Sequence, residues 1–247
     1  MNILLVHLGT PCECFIASSV IKGLKKRYAK QHPLHIHVLV GNKDSLSVLR
    51  YNNHIRMIYP INKVPSEFKK KQFDLLINLH PKFTEKEYFE INAEEKLGFN
   101  YTEEGDITQL HMYEFKKTTK NIFQMYYILA GLRWKGEGYS VFYNPKKKHK
   151  RHITGLYIIN KNLLDFVKDR LQLDLSVVKD IQPHKSVFKK LDEVNKCENV
   201  ITDDAFTMHQ SLFLRKSVCF LETIDYNYPI ELFSSGKIFK IPKNIIQ

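Results

Sequence analysis

Val200-Ile201-Thr202-Asp203-Asp204-Ala205-Phe206-Thr207-Met208-His209 runs from a short apolar strand into a turn with two adjacent carboxylates, and then into a helix. The helical pattern continues to Leu214, and the stretch 217–221 reads as the next strand. Strand, helix and strand in that order build a parallel sheet, because parallel neighbours need a crossover between them. The helix start offers free N–H groups and a positive dipole end, a setting suited to a phosphate-bearing ligand. Asp204 is placed to accept from ligand hydroxyls or to hold the turn. His209 is placed to donate to a phosphate oxygen, or to pack as a structural histidine. Adjacent side chains diverge, so Asp203 and Asp204 do not make a metal-binding pair, and no divalent metal is expected.

Working outward, the same alternation fills the chain. Strands are expected at 3–8, 34–40, 55–59 and 73–79, with a short fifth at 96–99. Helical spacing covers 15–28 and 118–132. A proline and a charge run, Asn144-Pro145-Lys146-Lys147-Lys148-His149-Lys150-Arg151, then interrupt the pattern and mark a boundary. Beyond it strands are expected at 153–159, 175–178, 200–202 and 217–221, with helices at 162–171, 185–196 and 205–214. The fold class is α/β with two Rossmann-like domains, 1–144 and a shortened 152–247. Two facing units of this kind are expected to take a ligand at the C-terminal ends of their strands.

Composition narrows the function. The 247 residues carry 38 Lys and Arg against 26 Asp and Glu, a net charge of +12. The lysines are spread thinly apart from 69–71 and 146–148, and no aromatics interleave with them. They read as solvated faces rather than a nucleic-acid surface; peripheral contact with an acidic membrane stays open. No apolar run approaches the roughly 20 residues needed to span a bilayer. Residues 2–6 are too short for a signal-peptide core, which points to the cytoplasm. Cys12, Cys14, Cys197 and Cys219 form neither a disulfide framework nor a paired metal motif. His35 and His37 share a strand face without a third ligand and read as structural. Phosphate-loop, dinucleotide-binding, zinc-protease and serine-hydrolase signatures are all missing from the sequence.

Two further places can carry chemistry. After the first strand comes Leu8-Gly9-Thr10-Pro11-Cys12-Glu13-Cys14, with Glu13 near a helix start. In a cleft this carboxylate can take a proton from an acceptor hydroxyl; the plainer reading is a helix-capping acid. Phe73-Asp74-Leu75-Leu76-Ile77-Asn78-Leu79-His80 ends a strand, which places Asn78 and His80 where α/β sites are built and where they can line an acceptor pocket.

Taken together, these residues resemble the family 9 glycosyltransferases, the heptosyltransferase type that builds lipopolysaccharide cores and modifies some proteins. The turn at 8–15 is similar to that family's first turn, with Glu13 on its catalytic Asp and Cys12 on its Gly. The stretch 73–79 is similar to its Tyr-Asp-Leu-Val-Ile-Asp-Leu strand, and Ala93-Glu94-Glu95-Lys96-Leu97-Gly98-Phe99 to its Ala-x-x-Arg-Ile-Gly-Phe segment. Residues 203–209 are similar to its Asp-Asp-Thr-Gly-x-x-His turn, with Asp204 and His209 matching. Ala205 stands for Thr or Ser and Phe206 for Gly; a Phe there would crowd a diphosphate or rearrange the turn.

The resemblance implies a B-type glycosyltransferase architecture and transfer of a heptose or similar sugar from a nucleotide-diphosphate donor. The acceptor is a hydroxyl on a glycan, a lipid-linked saccharide or a protein. No cofactor beyond the donor is implied. Glu13 is then the base, while Thr10, Asp204, Ala205, Met208 and His209 hold the donor, and Asn78 and His80 face the acceptor. The competing expectation is a degenerate, non-catalytic member that binds a sugar nucleotide or a partner protein.

Overall fold

The computed structural model describes residues 1–31, 33–81, 83, 86, 90–99, 120–144, 153–164, 167, 178–184, 186–222 and 236–240. The chain divides into two compact units, Met1–Phe142 and the smaller Tyr143–Gln247.

The first unit opens with strand β1 (Asn2–His7), whose Ile3, Leu4, Leu5 and Val6 are all buried. A strand covered on both faces must be apolar at successive positions, which is the composition of this run. Strands β2 (His35–Val40), β3 (Ile55–Pro60), β4 (Phe73–Asn78) and β5 (Ala93–Gly98) complete a parallel sheet in the order β3-β2-β1-β4-β5. The chain order reverses between β1 and β4, so a crevice opens beyond their C-terminal ends. Leu4, Val6, Leu39, Phe73 and Leu76 of this sheet form a core cluster with Phe68, Phe83 and Ile91.

Helices α1 (Pro11–Ala17) and α2 (Ser19–Arg27) replace the single expected helix and begin four residues earlier. Thr10 caps α1 and Pro11 occupies its first turn, where a missing N–H costs nothing. The break falls at Ser18, whose hydroxyl donates to the Phe15 carbonyl at 2.7 Å and accepts from the Ser140 N–H at 2.9 Å. Such back-bonding bends helices. Helices α3 (Lys43–Leu49), α4 (Ser66–Lys69) and α5 (Ile122–Leu129) follow. α5 starts where Asn121 and Gln124 form a reciprocal cap; residues 118 and 119 lie outside the described residues. β5 is longer than expected. Its Ala-Glu-Glu-Lys-Leu-Gly sequence suits the edge position it occupies, with Glu94 and Glu95 exposed.

The second unit holds β6 (Thr154–Tyr157), β7 (Val178–Asp180), β8 (Asn199–Thr202), β9 (Ser217–Glu222) and β10 (Gly236–Lys240). They form a parallel sheet ordered β10-β9-β8-β6-β7. β10 has no counterpart among the expected strands. Of the strand expected at 175–178 only Val178, the first residue of β7, is among the described residues, and most of the helix expected at 162–171 lies outside them. The reversal here falls between β6 and β8. Helices α6 (Val187–Asn195) and α7 (Ala205–Phe213) flank β8 in sequence. Leu156, Leu163, Val167, Ile201 and Leu221 form one core cluster, and Ile181, Val194, Cys197 and Val200 another.

Candidate functional site

In the first unit the crevice between β1 and β4 is bordered by the loop 8–10. Gly9 is required there: a Cβ would lie 2.6 Å from Glu13 Oε2 and 2.7 Å from the His7 ring. Thr10 and Glu13 form a reciprocal capping box. The Thr10 N–H and hydroxyl both donate to Glu13 Oε2, at 2.7 and 2.8 Å, and the Glu13 N–H donates to Thr10 Oγ1 at 3.3 Å. The capping role is therefore what the structure shows for Glu13, carried by one carboxylate oxygen. The other, Oε1, has no hydrogen-bond partner among the described residues. The helix holds this carboxylate in one place with half of its acceptor capacity open.

His7, at the end of β1, ties this loop to the interior. Its Nδ1 accepts from the Gly9 N–H at 3.3 Å and lies 3.1 Å from Cys14 Sγ, and its Nε2 is 3.1 Å from Tyr126 Oη. Because Nδ1 accepts from a backbone N–H, the proton of the neutral ring sits on Nε2 and is donated to Tyr126. Burial, and then the neighbouring His80, push the His7 pKa down to about 3. Burial raises the Cys14 thiol to about 12, so it is no nucleophile. Cys14 is packed and inert, while Cys12 is half-buried. Among the described residues no group of three or more His, Cys, Asp or Glu is placed to hold a metal ion. His37 matches the structural expectation: it packs edge-on against Phe73 and meets Lys71 Nζ at 2.7 Å.

Asn78 and His80 lie at the C-terminal end of β4, beside β1. Asn78 is fully buried; its Nδ2 donates to the Phe99 carbonyl at 2.7 Å and its Oδ1 accepts from the His80 N–H at 3.1 Å. Both polar ends of this side chain are engaged in fixing the strand ends. Gly98 makes this junction possible. It adopts φ +92°, and a Cβ would lie 1.9 Å from the Asn78 carbonyl oxygen. His80 is buried too, its ring edge-on to His7 with centroids 5.4 Å apart. Asn78→Ala removes both of the buried hydrogen bonds of the Asn78 side chain, and is expected to cost about 2–3 kcal/mol of stability in urea unfolding.

In the second unit the turn that follows β8 is locked by its own acids. Asp203 accepts from the Ile159 and Asn160 N–H groups at 2.7 and 2.8 Å, pinning the loop after β6. Asp204 is the N-cap of α7. It accepts from the Phe206 N–H at 3.4 Å, the Thr207 N–H at 2.9 Å, the Thr207 hydroxyl at 2.5 Å and Lys190 Nζ at 2.8 Å. Of its two expected roles Asp204 thus takes the structural one, holding the turn. Lys190 and the two Thr207 bonds draw its pKa below the carboxylate range, overriding burial, the largest single influence and an upward one. The N–H groups of Phe206 and Thr207 that would meet an incoming anion are turned onto this carboxylate.

Met208 and His209, expected to touch a donor, lie in the stretch of α7 from Thr207 to Leu212 in which every residue is buried. Burial drives the His209 pKa down to about 3, against an upward pull from Asp204. His209 is neutral at pH 7 and inside the unit, so its expected contact with a phosphate oxygen is not made from this conformation. Ala205 stands at the helix start, half-buried. Phe206 does not distort the turn: α7 begins normally, and the ring centroid lies 5.8 Å from Lys190 Nζ.

Lys190 and Tyr157 are absent from the expected site, yet both meet Asp204's surroundings. The signal for Lys190 was present in the sequence. Val187, Lys190, Leu191 and Val194 share the helical stripe of α6 that is buried, and a lysine in such a stripe needs a partner. His7 carried a weaker sign, a polar residue ending a wholly apolar strand.

No family model matches the sequence, and comparison with curated proteins gives no significant match. Comparison of structures does. Escherichia coli ADP-heptose lipopolysaccharide heptosyltransferase II superposes with a TM-score of 0.66 at 12% identity, over 98% of this chain and 91% of that one. A family 9 glycosyl transferase from Veillonella parvula gives 0.65 at 13% identity, over 96% and 85%. Escherichia coli heptosyltransferase WaaC, with ADP-2-deoxy-2-fluoro heptose, gives 0.63 at 9% identity, over 99% and 94%. With two parallel sheets that each reverse at their first strand, the chain has the two-Rossmann-domain fold of the family 9 glycosyltransferases of the heptosyltransferase type.

Proposed function

We propose that this protein is a glycosyltransferase that moves a sugar from a nucleotide-diphosphate sugar to an acceptor hydroxyl. The observation that carries the reading is Glu13: a carboxylate fixed by a capping box beside the β1–β4 crevice, with Oε1 open. In the proposed reaction Oε1 takes the proton of the acceptor hydroxyl while its oxygen attacks the anomeric carbon of the donor. The bond from that carbon to the diphosphate breaks, and the nucleoside diphosphate leaves with the electron pair. The first unit serves the acceptor and the second the donor. Thr10 orients Glu13, and the turn at Asp204 and Ala205 faces the donor with Met208 and His209 packed behind it. The chemistry calls for no resident metal. A heptose or related sugar is the leading donor, since a structural neighbour was solved with an ADP-heptose analogue. A glycan, lipid-linked saccharide or protein supplies the hydroxyl, in the cytoplasm or at an acidic membrane face. No helix among the described residues is long and apolar enough to cross a membrane.

One observation favours the non-catalytic alternative: Asp203 and Asp204 already occupy N–H groups at the donor turn. A thermal-shift panel of ADP-, GDP- and UDP-sugars tests the proposal. A stabilisation by one nucleotide class is expected; no shift with any of them would point to an interaction module.

A further inference from the structure

We propose that Lys190 is the cation that receives the donor's diphosphate, and that Asp204 holds it in place until the anion arrives. The inference rests on the donor reading above and adds a residue that its motif does not contain.

Lys190 extends from α6 to the C-terminal ends of β6 and β8. Its Nζ is 2.8 Å from Asp204 Oδ2, 4.0 Å above the centroid of Tyr157 and 5.8 Å from that of Phe206. Tyr157 pairs with Thr202 across the two strands, so the ammonium stands at the reversal of the second sheet. The residue is only 7% exposed. An ammonium has three N–H donors, and Asp204 is its one hydrogen-bond acceptor among the described residues. The aromatic faces give a weaker attraction. A buried cation with donor capacity to spare is costly, and an anion that supplies further oxygens relieves the cost.

Asp204 is built for the exchange. With Lys190 gone its carboxylate still accepts from the Phe206 N–H and from both donors of Thr207. Oδ2 alone carries three of the four donors, so loss of the lysine still leaves this oxygen with two hydrogen bonds. Tyr157 and Phe206, the two rings beside Nζ, are only partly buried, so the ammonium lies close to the surface. Phe206 thereby gains a role: in place of a glycine that lets backbone approach a phosphate, it shields a side-chain cation. A phosphate ligand is favoured over a carboxylate because its several charged oxygens can accept from more than one of the Nζ donors, close to the positive dipole end of α7.

Calorimetric titration of the intact chain with inorganic pyrophosphate and with ADP tests this, alongside urea unfolding of each variant. The wild type is expected to bind both. Lys190→Met should weaken both by about tenfold or more, the loss of one charge-assisted hydrogen bond. Lys190→Arg should keep most of the affinity. Asp204→Asn should bind at least as tightly as the wild type although it unfolds more easily, a combination that a purely structural ion pair does not produce. A folded Lys190→Met protein with undiminished affinity overturns the inference and leaves the donor reading standing. If Lys190→Met fails to fold, weaker binding by Asp204→Asn overturns it instead. A wild type that binds neither pyrophosphate nor ADP overturns the inference, and removes the donor reading as well if no ADP-, GDP- or UDP-sugar stabilises it.

Discussion

Between pH 7 and pH 5 the folded state is expected to lose about 4 kcal/mol of stability, about 2 from each of His7 and His209. Both rings are buried and held near pKa 3, against an ordinary value of 6.5. The unfolded chain takes up a proton at each histidine as the pH falls through 6.5, while the folded chain refuses it until about 3. The contribution is therefore complete above 6.5 and declines by about 1.4 kcal/mol per pH unit for each ring down to about 3. The physical cause is the same in both units: a ring inside the protein cannot be solvated as a cation. His37, lowered to about 4 by burial and then by Lys71, adds in the same direction. Urea unfolding at pH 7, 6 and 5 measures the slope. His209→Gln should reduce it by the share of one histidine; a stability independent of pH over this window would contradict the buried placement of these rings.

Replacing Glu13 by glutamine is expected to slow sugar transfer by about 10²–10⁴-fold, the range for removal of a general base. The substitution separates the two roles of this residue. Glutamine closes a capping box as well as glutamate does, so unfolding should change by only a few tenths of a kcal/mol. What it loses is the open carboxylate oxygen that takes the proton. Glu13→Ala loses the cap as well and should be less stable by about 1 kcal/mol. Glu13→Asp keeps a base but retracts it by about 1.5 Å, one C–C bond, beyond the roughly 0.5 Å tolerance of a reacting group. A Glu13→Gln enzyme with an unchanged rate would place the base elsewhere.

The alternation of strands and helices was legible in the sequence because parallel strands need apolar runs, and Ile3 to Val6 and Leu75 to Ile77 supply them. The edges were less legible. β5 carries two glutamates because a sheet edge tolerates charge, so only its last residues read as strand. The break at Ser18 depends on a hydrogen bond from Ser140, far along the chain, which no local periodicity can show. For the site, Glu13 and Thr10 were visible as a turn and a helix start, since capping is local chemistry. The donor turn was visible as a pattern of residue types, but not the direction in which they point. Helical spacing alone does not reveal that α7 is buried at every position from Thr207 to Leu212, Met208 and His209 included. The His7, Cys14 and Tyr126 cluster joins residues up to 119 positions apart and emerges only from the fold.

The most direct test of the central claim is the release of nucleoside diphosphate by the purified chain, given the nucleotide sugar that stabilises it best. The account predicts slow release without acceptor, faster release with a hydroxyl acceptor, and loss of both in Glu13→Gln. Tight binding of the nucleotide sugar with no release under any condition would contradict it, and would leave a sugar-nucleotide-binding protein in place of an enzyme.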